Sequence, residues 1–330
     1  SFATDTDQLE ASLTAIAEAA IDSVLTLACA DMVRRYGEID AAISIVALGR
    51  LGVKQLTAGS DLDLLIIYDA APDIFSNGQR KLSAASYILR LAQTMVSWIS
   101  TPTAEGTLYD VDLRLRPEGQ AGAVATSIGR FATYFDRDAW IWEKQALTKA
   151  RPIAGDTGLS EKIQQLINSI VNHNHPKECL VTAISDMRQR IRKQQKPASQ
   201  WDLRQITGGL TDIDLLIQAW RLQYGTLFSN SAQPAQVILQ TLYEQGMIDS
   251  NCYENMTEAS KCLNEIHHSL RLTLGPVAPE TDSLLHGLHQ FMQKRLDFPD
   301  ETRFQHHLDL SISTVIQSIN GYLTIADKPS

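Results

Sequence analysis

The strongest constraint in this sequence is the place where its hydrophobic period changes. Between residues 42 and 116 the apolar runs are short and branched, whereas beyond about residue 135 apolar positions recur every three to four residues to the end. Such a chain fits neither an all-helical bundle nor a sandwich of strands. It implies an α+β protein: a small mixed sheet near 40–150 followed by a C-terminal helical bundle. Ala42 to Leu48 and Leu64 to Tyr68 read as buried strands, and Leu108 to Arg116 reads as a third, stopped by Pro117 and Gly119. Leu82, Ala85, Leu89, Ala92, Val96 and Ile99 predict a helix between the second and third. An opening helix is expected to bury Leu9, Leu13, Ile16, Ala20, Val24 and Leu27. Further helices are expected over 138–150, 158–172, 178–195, 210–224, 234–246, 252–274, 283–295 and 302–323. Pro197, Gly208-Gly209, Gly275-Pro276 and Pro299 fall between them, as breakers should. The resulting division is 1–38, 39–155 and 156–330, with a packed joint rather than a tether.

Composition narrows the function classes. The 330 residues carry 29 Lys and Arg against 38 Asp and Glu, a formal charge of −9, which disfavours non-specific nucleic-acid binding. No run of 18 apolar residues is present, so no membrane span is expected. The start, Ser1-Phe2-Ala3-Thr4-Asp5, lacks a basic and apolar leader, and its lack of Met suggests a piece of a longer chain. Cys29, Cys179, Cys252 and Cys262 are widely spaced without a C-x-x-C pair, so free thiols in a reducing, cytoplasmic setting are expected.

The informative stretch is Leu48-Gly49-Arg50-Leu51-Gly52, followed by Ser60-Asp61-Leu62-Asp63-Leu64. Asp61 and Asp63 are two residues apart at the mouth of a strand, so period two points both to one face. Crowded carboxylates repel unless a cation lies between them, and hard oxygens of this kind suit Mg²⁺. An isolated Asp-x-Asp reads more simply as a turn cap plus an exposed acid. Gly49 and Gly52, which leave backbone amides open to phosphate, and the Ser60 hydroxyl favour a site instead. So does Asp112 on the third strand. There the same period groups Asp112 with Arg114 and Arg116, either as arginines neutralising acids or as planar forks for phosphate.

Together with Trp142-Glu143-x-Gln145-Ala146-Leu147 and Gly208-Gly209-Leu210-x-Asp212-Ile213, these motifs resemble the nucleotidyltransferase superfamily typified by DNA polymerase beta. More narrowly, they resemble the bacterial glutamine synthetase adenylyltransferases, bifunctional enzymes that attach and remove AMP. The likeness spans residues 42–220. It implies a polymerase beta-like nucleotidyltransferase domain over 39–155 that transfers AMP from ATP to a tyrosine of glutamine synthetase with release of pyrophosphate. By the same resemblance, Asp61, Asp63 and Asp112 would be catalytic and hold Mg²⁺, while Gly49, Arg50, Gly52, Ser60, Arg114 and Arg116 would bind ATP. A PII-type signalling protein enters as a partner on the same ground; nucleic acid and membrane do not. The sister half, which removes AMP by phosphorolysis to give ADP, carries the same motifs. Thr57-Ala58-Gly59-Ser60 and the final helix with its short 326–330 tail look more like the adenylylating, carboxy-terminal half. A non-catalytic nucleotide-sensing module is the reading from another class. Val53, Gln55 and Asp214 depart from the family pattern, which has a small residue, Glu and Glu at those places.

Other candidates have plainer readings beside functional ones. Glu143 is an early-helix acid, or a residue orienting Arg151 near the site. Asp212 either favours a helix N-terminus or supports a nucleotide site. Arg188, Arg190, Arg192, Lys193 and Lys196 read as a solvated cationic face. Among eight histidines, the pairs His173-x-His175, His267-His268 and His306-His307 lack zinc spacing and are expected at the surface.

Overall fold

The computed structural model describes residues 6–117, 119, 122–194, 196–275 and 282–324. Residues 1–5, Pro276 and the 326–330 tail, which entered the sequence reading, lie outside them. The chain runs α1 (Thr6–Tyr36), β1 (Ala42–Ala47), α2 (Gly49–Gly52), β2 (Leu62–Asp69), α3 (Ala84–Ser100), β3 (Val111–Asp112), β4 (Ala125–Ser127), α4 (Ile128–Arg137), α5 (Ile141–Leu147) and β5 (Arg151–Gly155). Helices α6 (Thr157–Val171), α7 (Lys177–Gln194), α8 (Leu210–Gln223), α9 (Ala235–Glu244), α10 (Ser250–Leu274), α11 (Asp282–Arg295) and α12 (Glu301–Leu323) follow. The protein is therefore α+β, mostly helical, with a small mixed sheet.

Central strand β1 pairs antiparallel with β2 on one side and β5 on the other. On its far edge, β2 takes β3 and β4 in succession, both parallel. Alternation along β1 and β2 then sorts their side chains between two cores. Ile43, Ile45, Ala47, Leu62, Leu64 and Ile66 face α1 and α3. Val46, Leu48, Leu65 and Ile67 face α4 and α6, and that second core runs on without a break through α8, α10 and α12. Sheet and bundle thus share one apolar interior.

Several expectations change here. The third strand is two residues long, because Arg114 to Pro117 turn away from the sheet. Strand β5 was not foreseen; Pro152 and Gly155 mask it in sequence, and its pairing with β1 carries a register shift. The expected helix 138–150 is instead α5, preceded by the separate α4. In α1 the buried line is Ala17, Ile21, Leu25, Ala28 and Met32, one position away from the predicted face, and Ile16 and Leu27 are exposed. The helix is apolar on nearly every side, so several stripes fit its period equally well. By length and composition α1 also passes for a membrane span. In this structure its inner line packs on α3 and β5. The four cysteines are free thiols.

His175, His267 and His268 are buried rather than on the surface. Burial, helped by His173, pushes the His175 imidazole down to about 4. The unfolded chain therefore binds a proton at His175 that the folded chain refuses, so the contribution of this group falls as pH drops from about 6.5 to about 4. Acid titration of stability should show the His175→Asn variant losing less stability than wild type across that window. The difference should approach about 3 kcal/mol, and parallel curves would refute it.

Candidate active site

The acidic turn lies where β2 begins. Leu62 pairs with Val111 and Asp63 with Asp112 in the parallel ladder, so the two aspartates are direct neighbours on one face of the sheet. Asp61 sits exposed one residue before the strand and adds its charge to theirs. Burial, then the charges of Asp112 and Asp61, push the Asp63 carboxyl up to about 6, against the pull of Arg204 and Arg114. Asp112 goes the other way. Burial raises its carboxyl, but Arg114 outweighs that, donating from Nε at 2.8 and 3.0 Å, from Nη2 at 2.5 Å and from its main-chain N–H at 2.8 Å.

The loop beside Asp63 depends on two glycines. Gly49 has φ +55°, and a Cβ there would stand 2.4 Å from Asp63 Oδ2, so only glycine lets the carboxylate lie over this backbone. At Gly52 a Cβ would meet the Lys149 carbonyl oxygen at 1.7 Å. The Leu48 N–H donates to the Asp63 carbonyl at 2.9 Å, which ties the loop to β2. Arg151 holds it from the other side, donating from Nε to the Gly52 carbonyl at 3.0 Å and from Nη2 to Glu18. The Ser60 hydroxyl shares a hydrogen bond with Thr57 at 2.5 Å.

Helix α10 closes over this loop with one polar stripe. Asn264, His267, His268 and Arg271 stand at i, i+3, i+4 and i+7, the spacing of a single face. Arg50 Nη2 donates to Asn264 Oδ1 at 3.0 Å. His268 Nε2 bonds Glu10 Oε1 at 2.5 Å, and that carboxylate lies 3.9 Å from Arg50 Nη1. Arg271 Nη2 donates to the Gly59 carbonyl at 2.7 Å, beside Ser60. Burial and the surrounding arginines push His267 down to about 2, so its ring is neutral.

The structure thus brings Gly49, Arg50, Gly52, Ser60, Asp61, Asp63 and Asp112 into one neighbourhood. Arg114 is there as the clamp on Asp112. Arg116 instead braces its own turn, donating to the Leu113 and Gly122 carbonyls at 2.7 and 3.0 Å. Glu143 does not orient Arg151. It accepts from Tyr134 Oη at 2.7 Å and from the Trp140 N–H at 2.8 Å, where it caps α5. Asp212 is a structural clamp, accepting from Arg188 at 2.7 and 2.8 Å and from the Gly208 N–H at 2.8 Å. Arg188 is accordingly buried, while Arg190, Arg192, Lys193 and Lys196 are exposed. Asp214 pairs with Lys149 Nζ at 2.5 Å. The α10 stripe was missed because its histidine pair was weighed only as a metal motif. Reading Asn264, His267, His268 and Arg271 as one helical face would have revealed a polar line in an apolar bundle.

The residues can be tested for a metal. Among the described residues no three His, Cys, Asp or Glu side chains form a ready-made ligand cluster. The donor chemistry nonetheless suits a hard cation. Asp63 and Asp112 offer carboxylates side by side, and their mutual repulsion is what such an ion relieves.

A small mixed sheet with crowded acids at one strand mouth, packed against a helical bundle, defines an α+β protein. Residues 2–166 match the family described as glutamate-ammonia ligase adenylyltransferase, and residues 180–322 match the one described as GlnD PII-uridylyltransferase. Three relatives carry the name bifunctional glutamine synthetase adenylyltransferase/adenylyl-removing enzyme. The Brucella suis biovar 1 relative is 32% identical over 295 residues, covering 89% of this chain and 30% of its own. The Mesorhizobium japonicum relative is 33% identical over 295 residues, with the same coverage of 89% and 30%. The Bartonella quintana relative is 30% identical over 304 residues, covering 92% of this chain and 31% of its own. The chain belongs to the glutamate-ammonia ligase adenylyltransferase family, a family of nucleotidyltransferases, and it spans 30–31% of the length of these relatives.

The raised Asp63 carboxyl predicts how stability responds to pH in metal-free buffer. Between about 4 and about 6 the folded chain holds a proton that the unfolded chain has released, so the contribution of Asp63 falls as pH rises. Asp63→Asn should remove that fall and stand above wild type at pH 7.5, by up to about 3 kcal/mol. Urea titrations of both proteins would measure it, and a less stable variant at that pH would contradict the assigned crowding.

Proposed function

We propose that this chain is an adenylyltransferase unit of the polymerase beta-like nucleotidyltransferase superfamily, moving AMP from ATP to a tyrosine of glutamine synthetase. The observation that carries the reading is the in-register pairing of Asp63 with Asp112, with Asp61 one residue upstream. Two acids on adjacent strands, with a third one residue upstream, have no packing reason to crowd at one strand mouth.

In this reading Asp61, Asp63 and Asp112 would hold two Mg²⁺ ions. When bound, the ions neutralise phosphate charge and lower the proton affinity of the incoming hydroxyl. The rest falls to the chain. Gly49 lets the Asp63 carboxylate lie against the loop backbone and Gly52 lets the loop pack on Lys149, while the Ser60 hydroxyl stands at the start of the acidic turn. Arg50, fixed by Asn264 and Glu10, offers a guanidinium from the loop. The tyrosyl oxygen gives up its proton to solvent and bonds to the α-phosphorus as the bond to the β-phosphate oxygen breaks, and pyrophosphate departs in line. Arg114, exposed where it clamps Asp112, offers a second guanidinium beside the carboxylates.

The relatives' names include removal as well as attachment of AMP, so the assay must run both ways. Unmodified glutamine synthetase incubated with this chain, ATP and Mg²⁺ should gain one AMP on a tyrosine by mass spectrometry. Asp61→Asn and Asp63→Asn should each lower the rate at least about a thousandfold while remaining folded. ADP release from adenylylated enzyme and phosphate, with no AMP attachment, would reverse the direction. Tight ATP binding with neither reaction would leave a sensing module.

A further inference from the structure

Behind the glycine loop, where it meets α8 and α10, lies a cavity that offers Arg50 a second carboxylate. Arg50, Lys149, Asp214 and Asn264 all line it. Arg50 Nη2 donates to Asn264 Oδ1 at 3.0 Å, and Asn264 is turned that way because its Nδ2 donates to the Ser260 carbonyl at 2.8 Å. Burial pushes the Arg50 guanidinium down, and the charge of Asp214 is the first to oppose it, ahead of Glu10. Asp214 nonetheless makes no hydrogen bond to Arg50. It accepts from Lys149 Nζ at 2.5 Å.

We infer that Lys149 is a positioning residue of the nucleotide site: by occupying Asp214 it leaves Arg50 with Asn264 and Glu10, the pose from which Arg50 meets phosphate. The inference deepens the proposed function and rests on it for the role of Arg50. Lys149 itself touches neither the acidic turn nor the nucleotide, and acts through the arginine.

Both ends of Lys149 suit the task. Its carbonyl is the surface on which Gly52 packs, since a Cβ on that glycine would stand 1.7 Å from the oxygen. The backbone on either side is anchored: the Lys149 N–H donates to the Ala146 carbonyl at 3.2 Å, and the Ala150 carbonyl accepts from Ser231 Oγ at 2.8 Å. The side chain is 17% exposed, so its ammonium lies in the joint rather than in solvent. Among the residues lining the cavity, Arg50 is the other cation. An arginine fork grips a carboxylate through paired hydrogen bonds, as Arg114 and Arg188 do elsewhere in this chain. With the ammonium gone, Asp214 would lack its partner and Arg50 is the group placed to supply one. Lys149 therefore decides which carboxylate Arg50 serves.

Calorimetric titration with ATP in magnesium chloride, without glutamine synthetase, reads binding apart from transfer. Lys149→Met keeps the backbone carbonyl and the apolar stem but removes the ammonium. It should bind ATP about tenfold more weakly than wild type, the scale of one charge-assisted hydrogen bond. Adding Asp214→Asn, which removes the competing charge, should restore the affinity. In an Arg50→Gln background, Lys149→Met should change ATP affinity by less than about twofold, because the two residues act in series. Lys149→Gln, tested in the same two backgrounds, serves if Lys149→Met does not fold. Equal affinity in wild type and Lys149→Met would overturn the inference. So would a loss that Asp214→Asn does not repair, or one that persists undiminished without Arg50, since either makes Lys149 a structural strut. Absence of ATP binding by wild type would overturn the proposed function as well, which keeps the two failures distinguishable.

Discussion

Repulsion between neighbouring carboxylates organises this site. A parallel register that sets Asp63 against Asp112 forces two negative charges onto adjacent positions, and Asp61 adds a third nearby. The protein answers each charge locally. Asp112 is neutralised by the bidentate hold of Arg114, whereas Asp63, half-buried and pressed against the Gly49 backbone, keeps its proton to an unusually high pH. One acid is satisfied by its own chain and its neighbour is left wanting a cation. That asymmetry follows from where the arginine can reach: residue 114 lies two positions beyond Asp112 on a turn and folds back onto it.

The sheet alone could not hold such a cluster. Its two faces are covered by different cores, and the one against α4 and α6 continues into the bundle, so the acidic turn is anchored to a rigid body on both sides. Across the opening, α10 sets a line of polar groups against the same loop. Asn264 steadies Arg50, His268 engages Glu10 of α1, and Arg271 holds the carbonyl of Gly59. Burial costs these groups solvation, which hydrogen bonding offsets, and it leaves His267 neutral between cations. The loop is thereby fixed from below by glycine contacts and from above by a helix that begins nearly two hundred residues later in the chain.

The two family matches part between α6 and α7. The match described as glutamate-ammonia ligase adenylyltransferase covers α1, the sheet and most of α6, and the match described as GlnD PII-uridylyltransferase covers most of α7 through α12. The two matched regions meet at the site: the first supplies the carboxylates, and the second supplies Asn264, His268 and Arg271.

Much of this was legible in the residues themselves. The helices from α6 to α12 fell within about two residues of expectation, because an apolar residue every three or four positions has one low-energy solution when one side must be buried. Strands β1 and β2 and the acidic turn between them were legible for the matching reason, period two with punctuation. Sequence could not give the face of α1, whose apolar residues surround the helix, nor β5, whose Pro152 and Gly155 disguise a strand that exists only because β1 offers an edge. It also misjudged His267 and His268, since adjacency says nothing about how many sides of a helix are covered. Local pattern fixes which residues share an element and a face. Only the folded chain decides which faces meet, because burial, register and electrostatic crowding depend on partners distant in sequence. Asp63 beside Asp112, and Arg50 bound to Asn264, are results of that second kind.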